Sequence, residues 1–144
     1  MDRILVGLDG SPRAAGVLDA ALQLARHVGA RLVLFRAVGV PHEIPVEAYS
    51  MTPASLAEML QRSAKRYLDH AAAELPAGTV VETVVGIGTP WQAICAAAEH
   101  HGADLIVIGS HGYSGLDRLI GTTAGKVVNH ASRSVLVVRA AERL

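Results

Sequence analysis

The chain has 144 residues, 51% of them hydrophobic and 18% charged, with 13 Lys and Arg balanced by 13 Asp and Glu. That length suits one domain spanning 1–144, with roughly two-thirds of the unfolded surface buried, and the composition excludes a disordered chain. Zero net charge argues against a nucleic-acid binder held by a basic surface and against an anionic-membrane binder.

No apolar run approaches the ~20 residues of a membrane span. The sequence opens at once on a strand, so the chain is expected in the cytoplasm. The lone cysteine, Cys95, lies among alanines and reads as a small core residue.

The first strand is read over Arg3–Leu8. A helix follows, with Ser11 as its N-cap, Pro12 at its first position and Gly29 as its terminator. Its apolar positions are Val17, Leu18, Ala21, Leu22, Ala25 and Val28. The second strand is Arg31–Val38. Residues Gly39–Ala54 then hold Pro41, Pro45 and Pro53. This stretch exceeds the usual connection and reads as a lid, an interface arm or an idle loop.

A second helix is expected from about Ser55 to Leu75, on Leu56, Met59, Leu60, Tyr67, Leu68 and Ala71. The third strand, Val80–Val85, carries Glu82 and Thr83, which suits a sheet edge. A third helix starts at Thr89-Pro90 and ends near Gly102. The fourth strand is Asp104–Ile108. The last helix runs from about Thr123 to Ala131 with Val127 and Val128 facing inward, and the last strand is Ser134–Arg139.

Four of these strands are continuous apolar runs, as in Leu32-Val33-Leu34-Phe35, the mark of strands covered on both faces. Strands alternating with helices imply an α/β fold, a doubly wound five-stranded parallel sheet with right-handed crossovers. In the order 3-2-1-4-5 the topology reverses between strands one and four. Asp9-Gly10-Ser11 and Gly109–Gly112 then face one crevice beyond the strand ends, where such sheets bind ligands.

The segment Gly109 to Thr123, GSHGYSGLDRLIGTT, has glycines at 109, 112, 115 and 121. Glycine allows tight turns and exposed N–H groups, and a following helix adds a partial positive charge, so this segment is a candidate phosphate site. The other reading is an ordinary β-to-α turn with a threonine cap. Asp9 is either a hydrogen-bond acceptor for ribose or base, or a cap or turn residue. His111 either touches phosphate or makes a structural hydrogen bond. Lys126 reads as a solvated lysine and Trp91 as packing at a helix end. Adjacent His100 and His101 point ~100° apart on a helix and have no partner at zinc spacing, so no metal site is expected.

The chain resembles the universal stress protein superfamily over nearly its whole length. The matching residues are Ile4-Leu5-Val6-Gly7-Leu8-Asp9-Gly10-Ser11, Val85-Gly86-Ile87-Gly88-Thr89-Pro90, and Asp104-Leu105-Ile106-Val107-Ile108-Gly109-Ser110-His111-Gly112. They continue with Gly121-Thr122-Thr123, Asn129-His130-Ala131 and Val135-Leu136-Val137-Val138-Arg139. The resemblance implies a Rossmann-like fold, usually a homodimer, with an ATP-binding branch marked by G-x2-G-x9-G-(S/T). That signature falls on Gly109, Gly112, Gly121 and Thr122, although eight residues, not nine, separate Gly112 from Gly121. The shortening either trims the turn Leu116–Ile120 or tilts Gly121 away.

By the same resemblance, Asp9 matches the family's base- or ribose-contacting acid and Ala37 the backbone that contacts adenine. Gly7, Leu8, Ile108, His111 and Thr123 complete the expected nucleotide contacts. The ligand is expected to be ATP, or AMP or ADP, with or without magnesium. A homodimer is expected through Val135-Leu136-Val137-Val138, which would otherwise leave an apolar sheet edge uncovered, and Val137→Lys is expected to weaken it.

No Walker-type GxxxxGK[ST], acid cluster for magnesium or Ser/His/Asp arrangement is present in the sequence. The sequence therefore favours a nucleotide-binding regulatory protein over its alternatives, a slow ATPase and a nucleotide-free dimeric scaffold.

Overall fold

A computed structural model describes residues 1–39, 52–110 and 120–139. Their elements in chain order are β1 (Arg3–Gly7), α1 (Ala14–Val28), β2 (Arg31–Val38), α2 (Pro53–Ala73), β3 (Val81–Ile87), α3 (Pro90–His100), β4 (Leu105–Gly109), α4 (Thr122–His130) and β5 (Ser134–Val138). The strands form one parallel sheet in the order β3-β2-β1-β4-β5. The expected fold and strand order are both borne out. Among the described residues no helix is long and apolar enough to cross a membrane.

The continuous apolar runs divide between two cores because successive side chains of a strand face opposite ways. Ile4, Val6, Leu32, Leu34, Leu105 and Val107 pack with α1 and with Leu68 of α2. Leu5, Val33, Phe35, Ile106 and Ile108 pack with Ile94, Ala97 and Ala98 of α3 and with Ala124 and Val127 of α4. Ile4, Leu5 and Val6 are all fully buried, as expected of a strand covered on both faces. β3 is an edge strand, in keeping with its polar residues. Its Thr83 hydroxyl donates to Asp69 of α2, and Lys65 donates to both Asp69 and Thr83. Those two donors hold the Asp69 carboxyl below the usual carboxylate range.

Several sequence expectations are corrected. α1 starts at Ala14, and Arg13 takes the cap position with no side-chain cap bond. Ser11 instead belongs to a tight turn before the helix. Asp9 Oδ1 accepts the Ser11 N–H at 2.9 Å, and the Ser11 carbonyl accepts the Ala14 N–H at 3.0 Å. α2 begins two residues earlier than expected, with Thr52 Oγ1 accepting the Ser55 N–H at 3.1 Å and Pro53 opening the helix. In α4, Val127 is buried but Val128 is 48% exposed. Adjacent helical residues point ~100° apart, so only one of the pair can face the sheet. Gly29 caps α1 in the left-handed conformation as expected, with φ 73°. Cys95 is half-buried, and desolvation pushes its thiol pKa up, consistent with a packing role.

At the opposite end of the sheet from the crevice, Asp104 ties β1 to β4. One carboxylate oxygen accepts the N–H groups of Asp2 at 2.6 Å and Arg3 at 3.0 Å. These two backbone donors hold the Asp104 carboxyl below its usual range.

Candidate functional site

A cavity of about 610 Å³ opens at the C-terminal ends of β1, β2 and β4, where the strand order reverses. Parallel sheets place ligands here because two chains leave the sheet in opposite directions and part. The β1–α1 turn supplies one wall through Leu8, Asp9, Gly10 and Ser11, and the end of β2 supplies Phe35, Arg36 and Ala37. Pro90 and Ile94 of α3, Ile108 and Gly109 of β4, and Thr123 and Ala124 of α4 close the far side.

Gly7 is needed where β1 meets β4 and α3, since a Cβ there would lie 2.9 Å from Ile108 Cγ2 and 3.5 Å from Ile94 Cδ1. Gly10 has φ +77°, a conformation that glycine adopts without cost and that turns the chain behind Asp9. Gly86 lets Phe35, 1% exposed, lie against β3, where a Cβ would come within 2.5 Å of the ring.

Seven of the eleven residues expected to contact nucleotide line this cavity: Gly7, Leu8, Asp9, Ala37, Ile108, Gly109 and Thr123. Gly121 and Thr122 stand beside it without lining it, and His111 and Gly112 lie outside the described residues, as do residues 40–51 and 116–119. The Gly121 N–H is not directed at the cavity. It donates to the carbonyl of Ser110 at 2.9 Å, while the buried Ser110 donates its own N–H to Val138 at 3.0 Å. The amides available at the start of α4 are therefore those of Thr122, Thr123 and Ala124, its first three positions, which have no intrahelical acceptor. They carry the positive end of the helix dipole.

Arg36 is a site residue that the sequence does not reveal. Its guanidinium carbon lies 4.6 Å from the centroid of the Tyr67 ring of α2. A Cβ on Gly10 would meet its Cζ, Nη1 and Nη2 all at 3.0 Å, so the guanidinium lays its flat face on the β1–α1 turn. Burial raises the Tyr67 pKa, opposed by the Arg36 charge, with Asp9 raising it and the Gly10 backbone lowering it. The one sequence signal pointing to Arg36 is a charge near the end of a central strand, Arg31–Val38, that is apolar from Leu32 to Phe35. Trp91 packs at the start of α3 as expected, its ring 4.7 Å from that of His130, with the Lys126 ammonium 5.6 Å from its centroid.

The fold defines a class of doubly wound α/β proteins with a crevice at the switch point. The model of the universal stress protein family matches residues 1–139, and the chain belongs to that family. It is 33% identical to universal stress protein YxiE of Bacillus subtilis, over 96% of this chain and 99% of that protein. It is also similar to a solved universal stress protein family structure from Burkholderia pseudomallei, at 31% identity and a TM-score of 0.75, covering 96% of each chain. A third relative, a universal stress protein crystallised in complex with cAMP, is 28% identical with a TM-score of 0.66, over 97% of this chain and 98% of that one.

Proposed function

We propose that the chain binds an adenine nucleotide, ATP or its mono- or diphosphate, in the crevice between β1 and β4, and acts as a nucleotide-responsive regulatory module of the cytoplasm. The observation that carries this reading is the convergence of the Asp9 turn, the end of β2 at Ala37, and the start of α4 at Thr123 and Ala124 on one cavity. In this reading Ala37 offers backbone to the base, Asp9 accepts from ribose or base, and Gly109 with Thr123 leaves room for phosphate. The relative that holds cAMP supports an adenine-containing ligand for this fold.

Micromolar affinity needs about 8 kcal/mol, whereas one exposed helix terminus contributes only ~0.3–1 kcal/mol per charge. Binding must therefore draw on the base pocket and the carboxylate together. Saturating ATP should raise the Tm of the unmodified chain, since a ligand at 100 times its Kd adds about 2.7 kcal/mol of stability. In Asp9→Ala the rise should shrink to less than half. An equal rise in both proteins would remove Asp9 from the site, and no rise in either would favour the nucleotide-free scaffold.

We also propose that the chain is a homodimer through β5. Among the described residues β5 pairs only with β4, and Leu136 on it is 39% exposed. An open apolar edge of this kind is normally covered. Val137 packs against the second core, so a lysine there would disturb the fold as well as an interface. Leu136→Lys is the cleaner probe. Sedimentation of the unmodified chain should give twice 15.0 kDa and that of Leu136→Lys a larger monomer fraction; a monomeric unmodified chain contradicts the proposal.

A further inference from the structure

We propose that Arg36 is a specificity-determining residue that makes the crevice prefer a phosphorylated nucleotide over the neutral nucleoside. The inference rests on the nucleotide reading above and adds to it the group that senses ligand charge.

Three observations carry it. Arg36 lines the cavity together with Asp9, Gly10 and Ala37. Its guanidinium is immobilised by two flat contacts, the Tyr67 ring at 4.6 Å and the Gly10 backbone. Both contacts engage the flat faces of the group, so they hold it in place without using its donors. A guanidinium offers five N–H donors in a planar fork matched to phosphate and cannot lose its charge near neutral pH.

The local charge balance calls for such a group. Asp9 places a carboxylate in a crevice proposed to receive an anion, and alone it would oppose that ligand. A cation beside the same turn offsets that charge. Gly10 makes the arrangement possible, because any side chain on it would fall on the guanidinium.

The test compares Kd values for ATP and adenosine by calorimetry in the unmodified chain, Arg36→Met, Arg36→Lys and Arg62→Met. Arg62 is an exposed α2 residue whose side chain is 74% accessible, and it controls for net charge. Arg36→Met should weaken ATP about tenfold or more while changing adenosine less than about threefold. Arg36→Lys, which keeps the charge but not the fork, should fall between, and Arg62→Met should leave the ATP-to-adenosine ratio unaltered. Equal losses for both ligands in Arg36→Met would show a packing role and overturn the proposal, as would an unchanged ratio or an equal shift in Arg62→Met. Should Arg36→Met fail to fold, Arg36→Lys decides: a ratio matching the unmodified chain overturns the need for the fork. An unmodified chain that binds neither ligand would overturn the nucleotide reading itself, a result distinct from the others.

Discussion

Phe35→Ala is expected to lower the unfolding free energy by about 3–5 kcal/mol, measured by denaturant titration. The ring is 1% exposed and belongs to the core formed by β1, β2 and β4 against α3 and α4. It also lines the crevice, so its removal would enlarge the cavity on the side toward β3. The cost combines lost transfer energy with a void that the two flanking strands cannot close. They are fixed by parallel pairing on both sides, Gly7 to Phe35 and Phe35 to Val84. A loss below about 1 kcal/mol would mean that the ring is not a structural anchor.

Gly86→Ala should cost about 1–3 kcal/mol, and Gly86→Val at least the upper end of that range. The glycine is not there for its dihedral freedom. Its hydrogen faces the Phe35 ring, where a Cβ would lie 2.5 Å from Cζ and 2.7 Å from Cε2. The ring is held in the second core, so an added methyl must displace either the ring or the strand. The two predictions are coupled. In a Phe35→Ala background the cost of Gly86→Ala should largely vanish, because the added methyl then enters the space the ring left. Contacting residues show coupling of about 0.5–3 kcal/mol in such cycles. An identical cost in both backgrounds would place the origin of the effect elsewhere.

These contacts also mark where the sequence stops being readable. The expected third strand ends at Val85, one residue before Gly86. β3 in fact continues to Ile87, since Gly86 pairs with Ala37 and makes room for Phe35 across the sheet. Hydrophobic periodicity sees the strand but not the ring from a neighbouring strand that requires the glycine. The central strands are legible for the opposite reason. Ile4–Val6 and Leu105–Ile108 are covered on both faces, and a short unbroken apolar run between turn residues is what such burial demands.

The alternation of elements implies the parallel sheet, and the polar residues of β3 suit the edge position it takes in the order. The crevice then follows from the order, which brings Asp9 and Gly109 to one opening, whereas Ala37, which also lines the cavity, is reached only through the family resemblance. Arg36 escapes a sequence reading because its role depends on Tyr67, a helix away in sequence, and on the backbone of Gly10. No local pattern encodes that meeting of three elements. The spacing of the glycines makes Gly121 an amide donor to ligand. Its N–H is instead taken by Ser110, a bond between residues on either side of the glycine-rich segment that no spacing rule anticipates. Ser11 reads as a helix cap because a serine before a proline and an apolar-periodic run is the usual start signal. The Asp9 carboxylate competes for that turn and delays the helix to Ala14.

Whether the crevice between β1 and β4 holds an adenine nucleotide is tested most directly by isothermal calorimetry of the purified chain with ATP. Saturable heat with one nucleotide per chain is expected, reduced in Asp9→Ala. A flat titration at millimolar ATP, with the protein folded, would contradict it.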